Sequence, residues 1–140
     1  MGRITHTETY DAPRSAVWAA LTDSDQLAAW LMPNDFRPEV GHSFTFRTDP
    51  GPGFDGLVRC EVLVVDPPER LSYSWSSGSL GTVVTWTLEE RPGGQTRLTL
   101  EHDGFRPVRD VFVRTLLSMG WKRKLLPSKL RHQLQSATSQ

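Results

Sequence analysis

Four side chains could do polar or acid–base chemistry if the fold brought them together: His6, Glu8, Tyr73 and His102. Burial raises a carboxyl pKa and lowers an imidazole pKa, so a Glu and a His in one apolar site could exchange a proton near neutrality. Two His and Glu8 are also metal-ligand types. Inward polar groups on strands more often bond to one another or to water, so no metal is expected. The remaining signals are weaker still. The four histidines (His6, His42, His102, His132) are dispersed, without a His-Glu-x-x-His spacing. Gly51-Pro52-Gly53 and Gly93-Gly94 lack the helix and Lys that follow a phosphate-binding loop. Cys60 has no flanking His to activate it and reads as a buried, inert thiol. We therefore expect no catalytic residue and no cofactor. The four polar side chains are expected to anchor a ligand.

The elements that must position them follow from hydrophobic spacing. Residues 3–10 read as a strand with Ile4, His6, Glu8 and Tyr10 on one face and Arg3, Thr5, Thr7 and Thr9 on the other. Pro13 suits the first turn of a helix that carries Val17, Ala20 and Leu21. Thr22, Asp23 or Ser24 can cap a second short helix, which carries Leu27, Trp30 and Leu31 and stops before Pro33. Strands are expected at 43–48 (Phe44 and Phe46 on one face), 54–65, 70–76 (Leu71, Tyr73, Trp75), 82–89 (Val84, Trp86, Leu88) and 96–102 (Thr96, Leu98, Leu100, His102). Residues 54–65 carry apolar side chains in both registers, which leaves their facing open. Short turns between successive strands imply antiparallel neighbours. Helical spacing returns with Val108, Val111, Phe112, Leu116 and Met119 as one stripe, extended by Trp121, Leu125, Leu126, Leu130 and Leu134. Pro127 predicts a kink in that long helix. The result is an α+β chain, a single domain over residues 1–140. A curved antiparallel sheet of six or seven strands lies around a long C-terminal helix, with two short helices after the first strand. Space between sheet and helix would be the natural pocket. Trp30, Phe44, Phe46, Trp75, Trp86, Leu100, Phe112 and Trp121 are its expected apolar lining, although such rings are more often plain core.

Composition bounds the function class. The 140 residues are 37% hydrophobic and 23% charged, with 5 Trp and 6 Phe, which excludes a wholly disordered chain. One Cys excludes an intrachain disulfide framework. No apolar run reaches a membrane-spanning length, and the start of the chain has no apolar h-region. No membrane insertion and a cytoplasmic location are expected. Residues 106–140 hold 8 basic and 1 acidic residue, whereas residues 1–105 hold 8 basic and 15 acidic. The basic segment, with Lys122-Arg123-Lys124 at its centre, reads as a solvated helix face or a docking face for a protein partner. The overall balance argues against nucleic acid. A monomer or weak dimer is expected.

Several stretches, in this order, carry a family resemblance. They are Ala12-Pro13 with Val17-Trp18 and Ala20-Leu21-Thr22-Asp23; Leu27, Trp30 and Pro33; Asp66-Pro67-Pro68-Glu69-Arg70-Leu71 with Tyr73 and Trp75; Val84-Thr85-Trp86-Thr87-Leu88; Gly94-Gln95-Thr96 with Leu98-Thr99-Leu100-Glu101-His102; and Gly120-Trp121 with Leu125 and Leu130. Together they resemble the START-like (SRPBCC) superfamily, nearest the branch related to the C-terminal domain of the activator of heat-shock-protein-90 ATPase. His42 stands where that family often has a second Gly, and Pro127 is unusual in its last helix. The resemblance implies a helix-grip fold and carries no catalytic motif. From the space between sheet and C-terminal helix and its aromatic lining, binding of a small hydrophobic ligand there is the expected function. The alternatives are a stress-response or chaperone-associated protein acting through its surface, and a cyclase-type enzyme.

Overall fold

Strand alternation sets which side chains face inward. A computed structural model describes residues 2–50, 55–77, 80–106, 110, 114–119, 121, 130, 131, 133 and 134. Strand β1 (Gly2–Tyr10) buries Ile4 and Tyr10, half-buries His6 and Glu8, and exposes Arg3, Thr5, Thr7 and Thr9, as its period-two pattern predicts. Helix α1 (Arg14–Thr22) starts on the carbonyl of Pro13 and buries Val17, Ala20 and Leu21. Helix α2 (Ser24–Trp30) is capped by Asp23, whose carboxylate accepts the N–H groups of Asp25 (2.9 Å) and Gln26 (3.3 Å). The other two capping candidates are engaged elsewhere. The Thr22 hydroxyl donates to the Trp18 carbonyl, and the Ser24 hydroxyl donates to Asn34.

Five further strands follow: β2 (Ser43–Arg47), β3 (Leu57–Asp66), β4 (Arg70–Ser77), β5 (Leu80–Arg91) and β6 (Gln95–Phe105). They form one six-stranded antiparallel sheet in the order β1-β6-β5-β4-β3-β2. Successive strands pair with each other from β2 to β6. β1 departs from that pattern: it docks beside the last strand, with His6 opposite Leu100 and Thr7 opposite Thr99.

Two irregularities decide side-chain facing. In β3 the register shifts between Val62 and Val64, so Val58, Cys60 and Val62 point inward on one side of it and Val65 on the other. That shift is why both registers of this stretch look apolar. In β6 the strand runs past His102 to Phe105 through Gly104, whose φ is +107°. His102 and Phe105 both end on the inner face, with ring centroids 4.8 Å apart.

Residues 114–119, 121, 130, 131, 133 and 134 are helical. Trp121, Leu130 and Leu134 are buried, and Leu117, one turn before Trp121, packs on the same core. The expected stripe through Leu116 and Met119 is corrected: these are 52% and 54% exposed. The buried line passes through 117 and 121, an i, i+4 pair, which turns 116 and 119 outward. Phe112, Pro127 with its expected kink, and Lys122-Arg123-Lys124 lie outside the described residues.

Candidate functional site

The inner face of the sheet is a chain of aromatic rings in contact. Phe44 and Phe46 on β2 meet Tyr73 on β4 at 5.3 and 6.0 Å between centroids. Phe46 meets Trp75 at 5.6 Å, and Trp86 on β5 meets Trp30 of α2 at 6.1 Å. Trp121 arrives from the C-terminal helical residues and touches both Trp75 (5.4 Å) and Trp86 (5.5 Å). Leu100 is fully buried on the same face. Each ring is carried inward by strand alternation, except Trp30 and Trp121, which helices supply.

Polar atoms inside this shell are paired in a defined direction. An indole N–H can only donate, so Trp121 Nε1 donating to His102 Nδ1 (3.1 Å) requires that Nδ1 be unprotonated. The proton of the neutral ring is then on Nε2, which donates to the Thr82 hydroxyl at 2.7 Å. Thr82 in turn donates to the Trp75 carbonyl at 3.0 Å. Burial pushes the His102 pKa down to about 3, against a weaker upward pull from Asp103. His102 is thus neutral, with both nitrogens occupied. Trp86 donates to the Tyr73 phenolic oxygen (2.9 Å), and burial holds the Tyr73 pKa well above its ordinary value. Trp30 donates to the Ala20 carbonyl. Among the described residues the indole N–H of Trp75, a residue 3% exposed, has no acceptor.

The four polar candidates do not form one cluster. Tyr73 and His102 lie in the aromatic shell. His6 and Glu8 sit at the β1 edge, against the C-terminal helical residues. His6 Nε2 donates to the Ser118 carbonyl at 3.2 Å, with the Ser118 hydroxyl 3.3 Å away. Glu8 faces Arg131 at 3.5 Å, and that guanidinium also lies 5.2 Å from the centre of the Tyr10 ring. Among the described residues no group of three His, Cys, Asp or Glu is placed to hold a metal ion. An open groove of about 420 Å³ runs along the same edge between Ile4 and Met119, with Arg3 and Arg114 at its sides. Cys60 is buried; desolvation first, and Asp35 second, push its thiol up to about 12.

Two partners went unrecognised in the sequence. Thr82 continues the Val84–Trp86–Leu88 face backward by two residues, so its inward facing was available from alternation. Arg131 carried no such signal, since its contact with Glu8 joins residues 123 apart.

The family model for activator of Hsp90 ATPase homolog 1-like proteins matches residues 11–131. The chain belongs to that family. The match covers both short helices, five of the six strands and the helical residues through Arg131. This activator-homologue chain is 35% identical to protein MLL2253 from Mesorhizobium loti, with a TM-score of 0.87 over 96% of this chain and 98% of that one. Protein BH1534 from Bacillus halodurans is 29% identical, with a TM-score of 0.80 over 96% and 97%. PFC0360w, an Hsp90 activator from Plasmodium falciparum, shares the fold at 18% identity and a TM-score of 0.74, over 98% and 96%. A search of curated proteins finds no match. The START-like superfamily and the α+β helix-grip architecture expected from the sequence are both present. No described helix is long and apolar enough to cross a membrane.

Proposed function

We propose that this protein binds a small hydrophobic molecule between the inner face of the sheet and the C-terminal helical residues, beside Trp75 and Trp121. The supporting observation is the Trp75 indole N–H, which is buried without an acceptor among the described residues. Buried donors are almost always paired, and leaving one unpaired costs about 1–3 kcal/mol. A bound molecule with an acceptor would remove that cost. The rings of Phe46, Trp75 and Trp121, tilted against one another by 39° and 56°, would be its apolar surroundings. Acid–base chemistry at His102, as a cyclase-type reaction would need, is not favoured. Trp121 and Thr82 occupy both ring nitrogens, and burial keeps the imidazole neutral.

The test is native mass spectrometry of the purified protein with organic extraction, alongside a titration with benzophenone, whose carbonyl can accept from Trp75, followed at the tryptophan indole N–H signals. The expected result is a co-purified apolar molecule, or movement of the Trp75 and Trp121 signals together on titration. No co-purified molecule, and no movement of these two signals up to the solubility limit of the probe, would overturn the proposal.

A further inference from the structure

We infer that the ligand of this site is a neutral, apolar molecule presenting a hydrogen-bond acceptor oxygen, and that the Trp75 indole N–H is the group that selects it. This rests on the binding site proposed above and goes on to its chemistry. The buried polar groups of the inner face can be counted by direction. His102 Nδ1 is filled by Trp121, and His102 Nε2–H is taken up by Thr82. The Thr82 proton goes to the Trp75 carbonyl. The Tyr73 oxygen already accepts from Trp86. Among the described residues the Trp75 N–H remains an unmatched donor beside these rings, and the Tyr73 hydroxyl is engaged as an acceptor from Trp86, which leaves its proton to donate. Tyr73 and Trp75 stand two residues apart on β4, so both face inward, and the Phe46 ring lies within 6.0 Å of each.

A site with spare donors and its acceptors already engaged discriminates by sign. A carbonyl or ether oxygen gains a hydrogen bond that nothing in the protein supplies. A ligand N–H or O–H finds its natural acceptors already engaged. A ligand ammonium is worse placed, because among the described residues no ionised side chain joins this ring cluster. His102 is neutral, and the half-buried carboxylate of Glu8 is held by Arg131 at the β1 edge. An unpaired charge in such surroundings is strongly disfavoured. Sites built on buried hydrogen-bonding groups reject ligands that leave those groups unpaired.

Three probes of one shape test this: benzophenone, which has an acceptor; diphenylmethane, which has none; and benzhydrylamine, which is charged at neutral pH. Each is titrated into ¹⁵N-labelled full-length protein. Benzophenone is expected to bind about tenfold more tightly than diphenylmethane, the equivalent of one net hydrogen bond, and benzhydrylamine more weakly than both. Trp75→Phe is expected to bring benzophenone down to the diphenylmethane level. Should that variant not fold, the wild-type spectrum decides: the Trp75 indole proton should move downfield with benzophenone and not with diphenylmethane. Equal affinity of benzophenone and diphenylmethane, with identical Trp75 shifts, overturns the inference while leaving the binding site standing. Benzhydrylamine binding as tightly as benzophenone overturns it too. Failure of all three to bind overturns the binding site itself, and the inference with it.

Discussion

Acid is the perturbation that reads the His102 network most directly. The hydrogen bond from Trp121 occupies Nδ1, so the folded protein cannot protonate His102 without losing that bond. The unfolded chain protonates it with an ordinary pKa of 6.5, whereas the folded pKa lies near 3. The folded value is the lower one, so the stability His102 contributes is complete above about pH 6.5 and is lost as pH falls toward 3. In that window the unfolded state holds one more proton, which is worth about 1.4 kcal/mol per pH unit. At pH 6.5 the unfolded ring is already half protonated, so from about pH 6.5 to 4.5 the loss due to His102 alone is about 2.3 kcal/mol. Carboxylates also titrate at the lower end, so the control is His102→Gln, whose amide can accept from Trp121 and donate to Thr82 without titrating. Urea unfolding of both proteins across this range gives the measurement. The stability gap between wild type and His102→Gln should shrink by about 2.3 kcal/mol as pH falls from about 6.5 to 4.5. A gap that stays constant, or a His102 imidazole signal in the folded protein with a titration midpoint above about pH 5, would refute the reasoning.

Two further outcomes follow from local geometry. Gly104→Ala should destabilise by about 1–3 kcal/mol, read as a lower urea midpoint with unchanged slope. Its φ is +107°, and an added Cβ would lie 3.3 Å from Thr82 Cα, so a midpoint within error of wild type would contradict this. Cys60 should resist a thiol reagent in the native protein at mildly alkaline pH and react only on unfolding, because its pKa is pushed up to about 12 and thiolate is the reactive form; fast modification of the folded chain would exclude that.

Alternation along a single strand is a local property, and the sequence shows it without help. The inward sets Leu71–Tyr73–Trp75, Val84–Trp86–Leu88 and Leu98–Leu100–His102 follow from it, while helical spacing gave the two short helices and short turns gave the antiparallel order of β2 to β6. The family was legible for the same reason, since its signature is made of such local stretches. The facing of β3 was not, because the shift between Val62 and Val64 exists only relative to β4. The choice of Asp23 over Thr22 and Ser24 as cap was decided by Trp18 and Asn34, which engage the other two. Glu8 looked like a pocket group from its strand face, but Arg131 reaches it across 123 residues. His102 was recognisably inward; its tautomer, its neutrality and the unpaired N–H of Trp75 were not. Those depend on which donor meets which acceptor, and only the packed structure brings Trp121, Thr82 and Trp75 around one ring. Residue types and periodicity specify what each segment can present. The direction of each buried hydrogen bond, and so the chemistry of the site, is set when distant segments exclude water together.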